Sequence, residues 1–238
     1  MFVGGVLQYL GDYAETSPSS FTLNQPLPAG IVVGVEWIEG GTTGGGASGG
    51  GNFVSVKQAP FNAVGDGNAD DTAALQQAIN AVGAAGGGTL FIPAGKYKLT
   101  ARVDVKVNVS ILGEGDQSVL LQTNHAVSCL FIQNVQGTYY RDFKVASDVD
   151  YTNAANRNAT GHLLWVLDSQ RVTVDNVGGD GSPSTFVTFQ RSSDITVMNC
   201  RYRNTLADGI HITERCKRMT VMGNHAENTG DDGISVVS

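Results

Sequence analysis

The sequence predicts an all-β solenoid, in which short strands wind into stacked coils behind one short helix. Three observations predict it. The first is an internal repeat: NTLADGIHIT (204–213) lies over NTGDDGISVV (228–237) under a 24-residue shift, and ITVMNC (195–200) lies over MTVMGN (219–224). Across 195–213 against 219–237, eight of 19 positions are identical, and a period in the twenties with β-rich units marks stacked coils. The second is a long succession of short apolar runs separated by Gly, Asn, Asp and Ser. The third is composition: 31 glycines without collagen periodicity imply many tight turns, and a hydrophobic fraction of 41% suffices for a core.

Residues 1–38 alternate as short strands do (FVGGVLQYL, SFTLNQPL, AGIVVGVEWI), with Gly4-Gly5 and Asn24-Gln25-Pro26 as turn centres. This small β unit is expected to pack on a partner or to oligomerise, because it buries little core alone. Residues 39–52, centred on GGTTGGGASGGGN, read as a glycine-rich linker and domain boundary. A coil domain is expected over 53–238. It ends in mid-coil with an open apolar end, which reads as a truncated C-terminus.

Within the coil domain, Asp70 or Asp71 is placed to cap a helix over about 71–82. Ala74, Leu75, Ala78, Ile79 and Val82 fall on one face, and Gly83 with Gly86–Gly88 ends the helix before the strand TLFIP. An open solenoid end needs a cover, and this short amphipathic helix is expected to cap the first coil. From 101 to 190 the chain reads as strands. A polar break at 147–161 interrupts them, and insertions at one point of a solenoid tend to lie on its binding face. Tyr151, Asn156 and Arg157 are therefore candidate substrate-binding residues, with a solvated turn as the other reading. Trp165 and Phe186, each inside an apolar run, read as core.

Net charge is −7 and no Lys/Arg cluster stands out, so no nucleic-acid partner is expected. No segment approaches the ~20 apolar residues of a membrane helix, and the start lacks the basic region and cleavage site of a signal peptide. Cys129, Cys200 and Cys216 lack metal-ligand spacing and read as reduced, buried thiols.

The chemistry is expected where the repeats meet. Neighbouring parallel strands lie about 4.7–4.9 Å apart, so Asp208 and Asp232 should be near neighbours on adjacent coils, with Asp231 beside them. Carboxylates so close repel, the condition under which one keeps its proton while another stays ionised. Glycoside hydrolysis needs that division of labour. Corner-turn packing and a calcium site are the other readings of the trio. Asp208 has the parity of the inward Ile210 and Ile212, and reaches solvent only if Gly209 breaks the alternation, whereas Asp231 has the outward parity. His211, one coil from Ser235, is a candidate to orient a sugar hydroxyl or assist a base. Arg201, Arg203, Arg215, Lys217 and Arg218 crowd the same coils and read as a solvated ion-pair face.

Three resemblances add to this. The order GDG–DDT–helix–GGG–strand–PAG–Y over 57–100 closely resembles the opening of the pectate-lyase-like right-handed parallel β-helix proteins, which include phage tailspikes. Residues 1–38 resemble the virion-attachment modules of phage tail fibres. The aspartates resemble those of family 28 glycoside hydrolases. That likeness implies Asp231 as general acid, with Asp208 and Asp232 activating water in an inverting reaction, and no cofactor or resident metal. Leu206-Ala207, between the Asn-Thr and Asp208, depart from that pattern. Together the resemblances imply a homotrimeric virion protein, made in the host cytoplasm and acting outside the cell, joined to the tail or baseplate through residues 1–38. They imply that it binds and depolymerises bacterial capsule or lipopolysaccharide. The other expectations are a non-catalytic adhesin and a calcium-dependent polysaccharide lyase.

Overall fold

A computed structural model describes residues 52–237 in full, and the backbone of 2–3, 6–7, 13–17 and 20–23. Contacts divide the chain into two compact units, Met1–Ala47 and Ser48–Ser238. In the first, Phe2–Val3 pairs antiparallel with Val6–Leu7, and Tyr13–Ser17 with Ser20–Leu23. The strand expected at 29–38 and the linker up to residue 51 lie outside the described residues.

The second unit is all-β, built from parallel strands in a β-helix-like stack. One sheet holds six parallel strands, Val103–Val105, Leu130–Gln133, Leu164–Leu167, Val187–Gln190, Ile210–Thr213 and Ile234–Val237. A second sheet of 12 strands forms two further flanks, joined by the long strands Gln136–Ser147 and Gln170–Asp180. The register follows the repeat read from sequence: Ile210 pairs with Ile234, His211 with Ser235, Thr196 with Thr220, and Thr205 with Thr229.

Alternation sets the core. In the six-stranded sheet Val105, Ile132, Val166, Phe189 and Ile212 point inward and are buried, each worth about 1.5–3 kcal/mol against exposure. On the last rung the corresponding Ile234 and Val236 are exposed. The corners explain the recurrent Asn and Asp. Asp142, Asn176 and Asn199 stack at one bend with φ of 51–59°, and Asn204 and Asn228 at the next with 59° and 50°. This left-handed region costs most residues energy but suits short polar side chains that bond locally. Asn176 Nδ2 donates to Asp142 Oδ1 at 2.7 Å, and Asn204 Nδ2 to Asp180 Oδ1 at 2.9 Å.

The helix spans Thr72–Ala84 and buries Leu75, Ala78, Ile79 and Val82, contacting the strands Asn52–Ser55, Gly88–Ile92 and Val103–Val105. Its N-terminus differs from the simple cap expected. Asp71 occupies the cap position without a side-chain bond to the helix. Its carboxylate turns back to accept from Val64 N–H at 2.6 Å and Gly65 N–H at 3.0 Å, and Asp70 accepts from Thr72 N–H at 3.0 Å. Asp71 thus fixes the loop that leads into the GDG turn.

Phe186 is fully buried, as expected, but Trp165 is not core. It sits half-buried on the outward column that runs Phe131, Trp165, Thr188, His211 and Ser235. Cys129 and Cys200 are free and buried, and burial pushes both thiols up, Cys200 to about 12. Cys216 is only half-buried. The basic residues of the last coils do pair in part: Arg218 with Asp194, Arg203 with Asp180, and Arg191 with Asp168 and Glu214.

Candidate functional site

The site forms where each coil turns into the six-stranded sheet. Two residues before four successive strands stand His162, Thr185, Asp208 and Asp232, and three residues after each stand Trp165, Thr188, His211 and Ser235. Each rung thereby brings an i, i+3 pair around the corner. His162 meets Trp165 edge-on at 5.3 Å between ring centroids. Thr185 and Thr188 share a hydroxyl–hydroxyl bond of 2.8 Å. His211 Nδ1 bonds Asp208 Oδ2 at 2.6 Å.

Asp208 precedes the strand, so the alternation argument does not govern it. It is buried, its side chain 10% exposed, with its carboxylate aimed along the corner and not into the core. Asp232 N–H donates to Asp208 Oδ1 at 3.1 Å, so both carboxylate oxygens have partners. Gly209 must be glycine: a Cβ there would overlap the Tyr202 ring and the Gly233 carbonyl. Gly230 lets the next rung close down, since its Cβ would lie 2.7 Å from the Leu206 carbonyl. Leu206 and Ala207, the departure noted in the sequence, are buried and donate their N–H groups to the Ser182 and Ser184 carbonyls of the coil below.

Asp231 and Asp232 are exposed, and one oxygen of each lies within 4.8 Å of the other and of Asp208. The inserted segment, with a short 3₁₀ turn at Ala154–Asn156, reaches the same place: Arg157 Nη2 lies 3.8 Å from Asp231 Oδ2. Tyr151, on the same segment, is exposed. Asp208, Asp231, Asp232, His211 and Arg157 therefore come together, while Asn156 bonds the Asp150 carbonyl instead and Tyr151, among the described residues, has no side-chain bond to the group.

Because a carboxylate only accepts, Asp208 fixes the proton of neutral His211 on Nδ1 and leaves the Nε2 lone pair for a substrate. His162 was not singled out from sequence. Its Nδ1 bonds Thr185 Oγ1 at 2.9 Å and Thr188 Oγ1 at 3.1 Å. Burial first, and then the field of His211, lowers its pKa to about 4, so it is neutral near pH 7. The signal that could have found it is its position two residues before a strand, equivalent to Asp208.

A calcium ion here would meet chiefly Asp231 and Asp232, because Asp208 is nearly covered and already accepts two hydrogen bonds, and the rest of its roughly six to eight oxygens would come from main-chain carbonyls or water.

Comparison with known proteins gives likenesses of sequence and of fold. Mannuronan C5-epimerase AlgE3 of Azotobacter vinelandii is 30% identical over 185 residues, 73% of this chain and 9% of that protein. The pre-neck appendage protein of Bacillus phage B103 is 27% identical over 201 residues, 76% of this chain and 21% of that protein. The crystal structure of the Agl-KA catalytic domain superposes with a TM-score of 0.66 at 24% identity, over 81% of this chain and 35% of that one, a likeness of fold. The chain thus spans only a small part of the length of these relatives. The model of the family described as rhamnogalacturonase A/epimerase, pectate lyase-like, matches residues 53–238, more than three-quarters of the chain, and the chain belongs to that family.

Proposed function

We propose that this chain is part of a phage appendage protein that binds and cleaves a bacterial surface polysaccharide at the Asp208–His211–Asp231–Asp232 corner. The observation that carries the reading is the convergence of three carboxylates within 4.8 Å beside a histidine whose tautomer is fixed at 2.6 Å. Membership of a family named for polysaccharide chemistry, and likeness to a phage appendage protein, support the setting. In this reading the coils form a right-handed β-helix, the helix Thr72–Ala84 caps the first coil, residues 1–38 attach to the tail, and the assembly is trimeric.

Roles follow from exposure and spacing. Asp231, exposed and flanked by Asp232, is the general acid that protonates the leaving oxygen. Inverting pairs stand about 6.5–9.5 Å apart to admit a water between them, and these acids are closer. In place of Asp208 and Asp232 we assign the base to His211 Nε2, left free by the Nδ1 bond to Asp208, which is its positioning residue. Arg157 orients the sugar beside Asp231. Purified protein should release reducing ends from the capsule or lipopolysaccharide of its host, and Asp231→Asn should abolish release while binding survives. Undiminished turnover by Asp231→Asn would remove the assignment. Binding without any turnover by the wild type would leave an adhesin.

A second reading has a specific observation in its favour. A guanidinium beside the acids (Arg157) and a neutral imidazole base suit a uronate, whose carboxylate is neutralised while C5 loses its proton. An epimerase acting at C5 is among the relatives. Elimination would leave 4,5-unsaturated ends that absorb in the ultraviolet, and epimerisation would change sugar composition without shortening the chain. Hydrolysis does neither.

A further inference from the structure

We propose that a second saccharide site, separate from the Asp208 corner, lies on the flank formed by strands at 118–122, 143–147, 177–180, 201–205 and 225–229, and that it takes an uncharged sugar unit. The outward column there reads Val119, Lys144, Gly178, Arg201 and His225. Gly178 contributes no side chain, and a cavity of about 260 Å³ opens over it. Nothing in the backbone demands this glycine, because its φ lies outside the left-handed region. A Cβ would meet only Asp116 Oδ1 at 3.1 Å and Lys144 Cγ at 3.2 Å, both on flexible side chains. What the glycine does is leave the space open.

The lining decides the ligand. Lys144 and Arg203 converge on Asp180 Oδ2 at 3.1 and 2.9 Å. Burial alone would raise the Asp180 carboxyl, but bonds from Arg203, Asn204 and Lys144 outweigh it and hold the group below the usual range. Two of the cations thus share one carboxylate and are held in place. Arg201 has no carboxylate within 4 Å among the described residues, while Asp116 and Glu227 also line the opening. Lys144, Arg203 and Arg201 line the opening together with Asp116 and Glu227, and Asp180 holds the first two. An added anion would gain Arg201 but meet two carboxylates. A sugar's hydroxyls donate to the carboxylates and accept from the guanidinium, making charge-assisted bonds of both kinds. The volume falls below the ~300–1,000 Å³ of pockets for drug-sized ligands, which suits one sugar unit and not a run of them.

The inference rests on the polysaccharide reading for its ligand class alone, and the test separates the two. Immobilised neutral oligosaccharides (glucan, galactan and rhamnan fragments) and acidic ones (oligogalacturonate, alginate) are probed with the full chain as wild type, Gly178→Leu, Arg201→Gln and Asp231→Asn. Neutral fragments should bind wild type and Asp231→Asn alike, and bind Gly178→Leu and Arg201→Gln at least tenfold more weakly, with unfolding temperatures preserved. If Gly178→Leu misfolds, the exposed Arg201→Gln decides. Loss of less than twofold in Arg201→Gln, or binding by wild type to acidic fragments alone, overturns the second site. Loss of neutral-fragment binding in Asp231→Asn with Arg201→Gln unaffected would overturn it, and would also count against the corner, where binding is expected to survive that change.

Discussion

Asp208→Asn tests the corner chemistry without changing its shape. In the wild type the carboxylate accepts from His211 Nδ1 at 2.6 Å and from Asp232 N–H at 3.1 Å. An amide can serve Asp232 with its oxygen, but its NH₂ then faces His211 and can only donate. His211 must move its proton to Nε2, and the lone pair facing the groove is lost. The same reversal in an Asp–His–Ser triad lowers kcat about 10⁴-fold. His211 is partly solvated here, and a fall of about 10²–10⁴-fold is expected. Stability should change little, because Asp232 N–H keeps its acceptor. Losing one charge-assisted bond costs on the order of 1.5–3 kcal/mol gross, and the new amide–imidazole bond offsets part of it. A net 1 kcal/mol shifts Tm by about 2–4 °C at this size. Release of reducing ends measures the rate, nitrogen chemical shifts of the imidazole report the tautomer, and thermal unfolding reports the fold. Turnover within threefold of wild type, with the imidazole proton moved to Nε2, would refute His211 as the base. Asp208→Ala is the contrasting control. It strands a poorly solvated N–H and should cost about 1–3 kcal/mol more stability than the Asn variant.

Three further outcomes are expected. Arg157→Ala breaks a contact between side chains that are each more than half exposed, so unfolding should shift by less than about 0.5 kcal/mol while KM rises several-fold; an unchanged KM would detach Arg157 from the substrate. His162 has a folded pKa near 4 against an ordinary 6.5, so the unfolded chain binds more protons between those values. Stability should therefore fall as pH drops from about 6.5 to 4, by about 3 kcal/mol at most, and His162→Gln should remove that slope in urea titrations. Gly209→Ala would drive a methyl into the Tyr202 ring and the Gly233 carbonyl. Overpacking of that kind costs about 1–3 kcal/mol, and an unshifted unfolding midpoint would show that the corner relaxes freely.

Much of the fold was legible because the forces that set it are local and periodic. The 24-residue shift fixes which residues stack, and alternation fixes which face inward, so Ile210 over Ile234 needed no structure to place. The helix was legible from its apolar face. Its first turn was not, because Asp71 is claimed by a loop six to seven residues earlier through two main-chain bonds, which no helix rule anticipates. Trp165 was read as core because its run is apolar. Parity places it outward, and an indole ring beside Phe131 and His162 shields itself enough to be half-buried there. The cavity over Gly178 was invisible in sequence, since a glycine in a glycine-rich chain announces nothing until its neighbours are known.

The corner shows how one repeat can carry unlike parts. Asp208 and Asp232 are equivalent in sequence and in register, yet one is covered and the other exposed. The difference comes from what each rung meets. Asp208 has Thr185 on one side and the Asp232 main chain on the other, and its i+3 partner is an imidazole that can donate. Asp232 lies on the last described rung, and its i+3 partner is Ser235, whose hydroxyl bonds more weakly than a charged or aromatic donor. Exchanging the partners makes this testable. His211→Ser with Ser235→His should carry the fixed imidazole up one rung, next to the exposed Asp232. If Asp208 matters only by orienting a histidine, the double variant should regain part of the activity that His211→Ser loses. If no activity returns while the fold is kept, the base requires a covered carboxylate behind it, and solvent exposure at Asp232 is what disqualifies the upper rung.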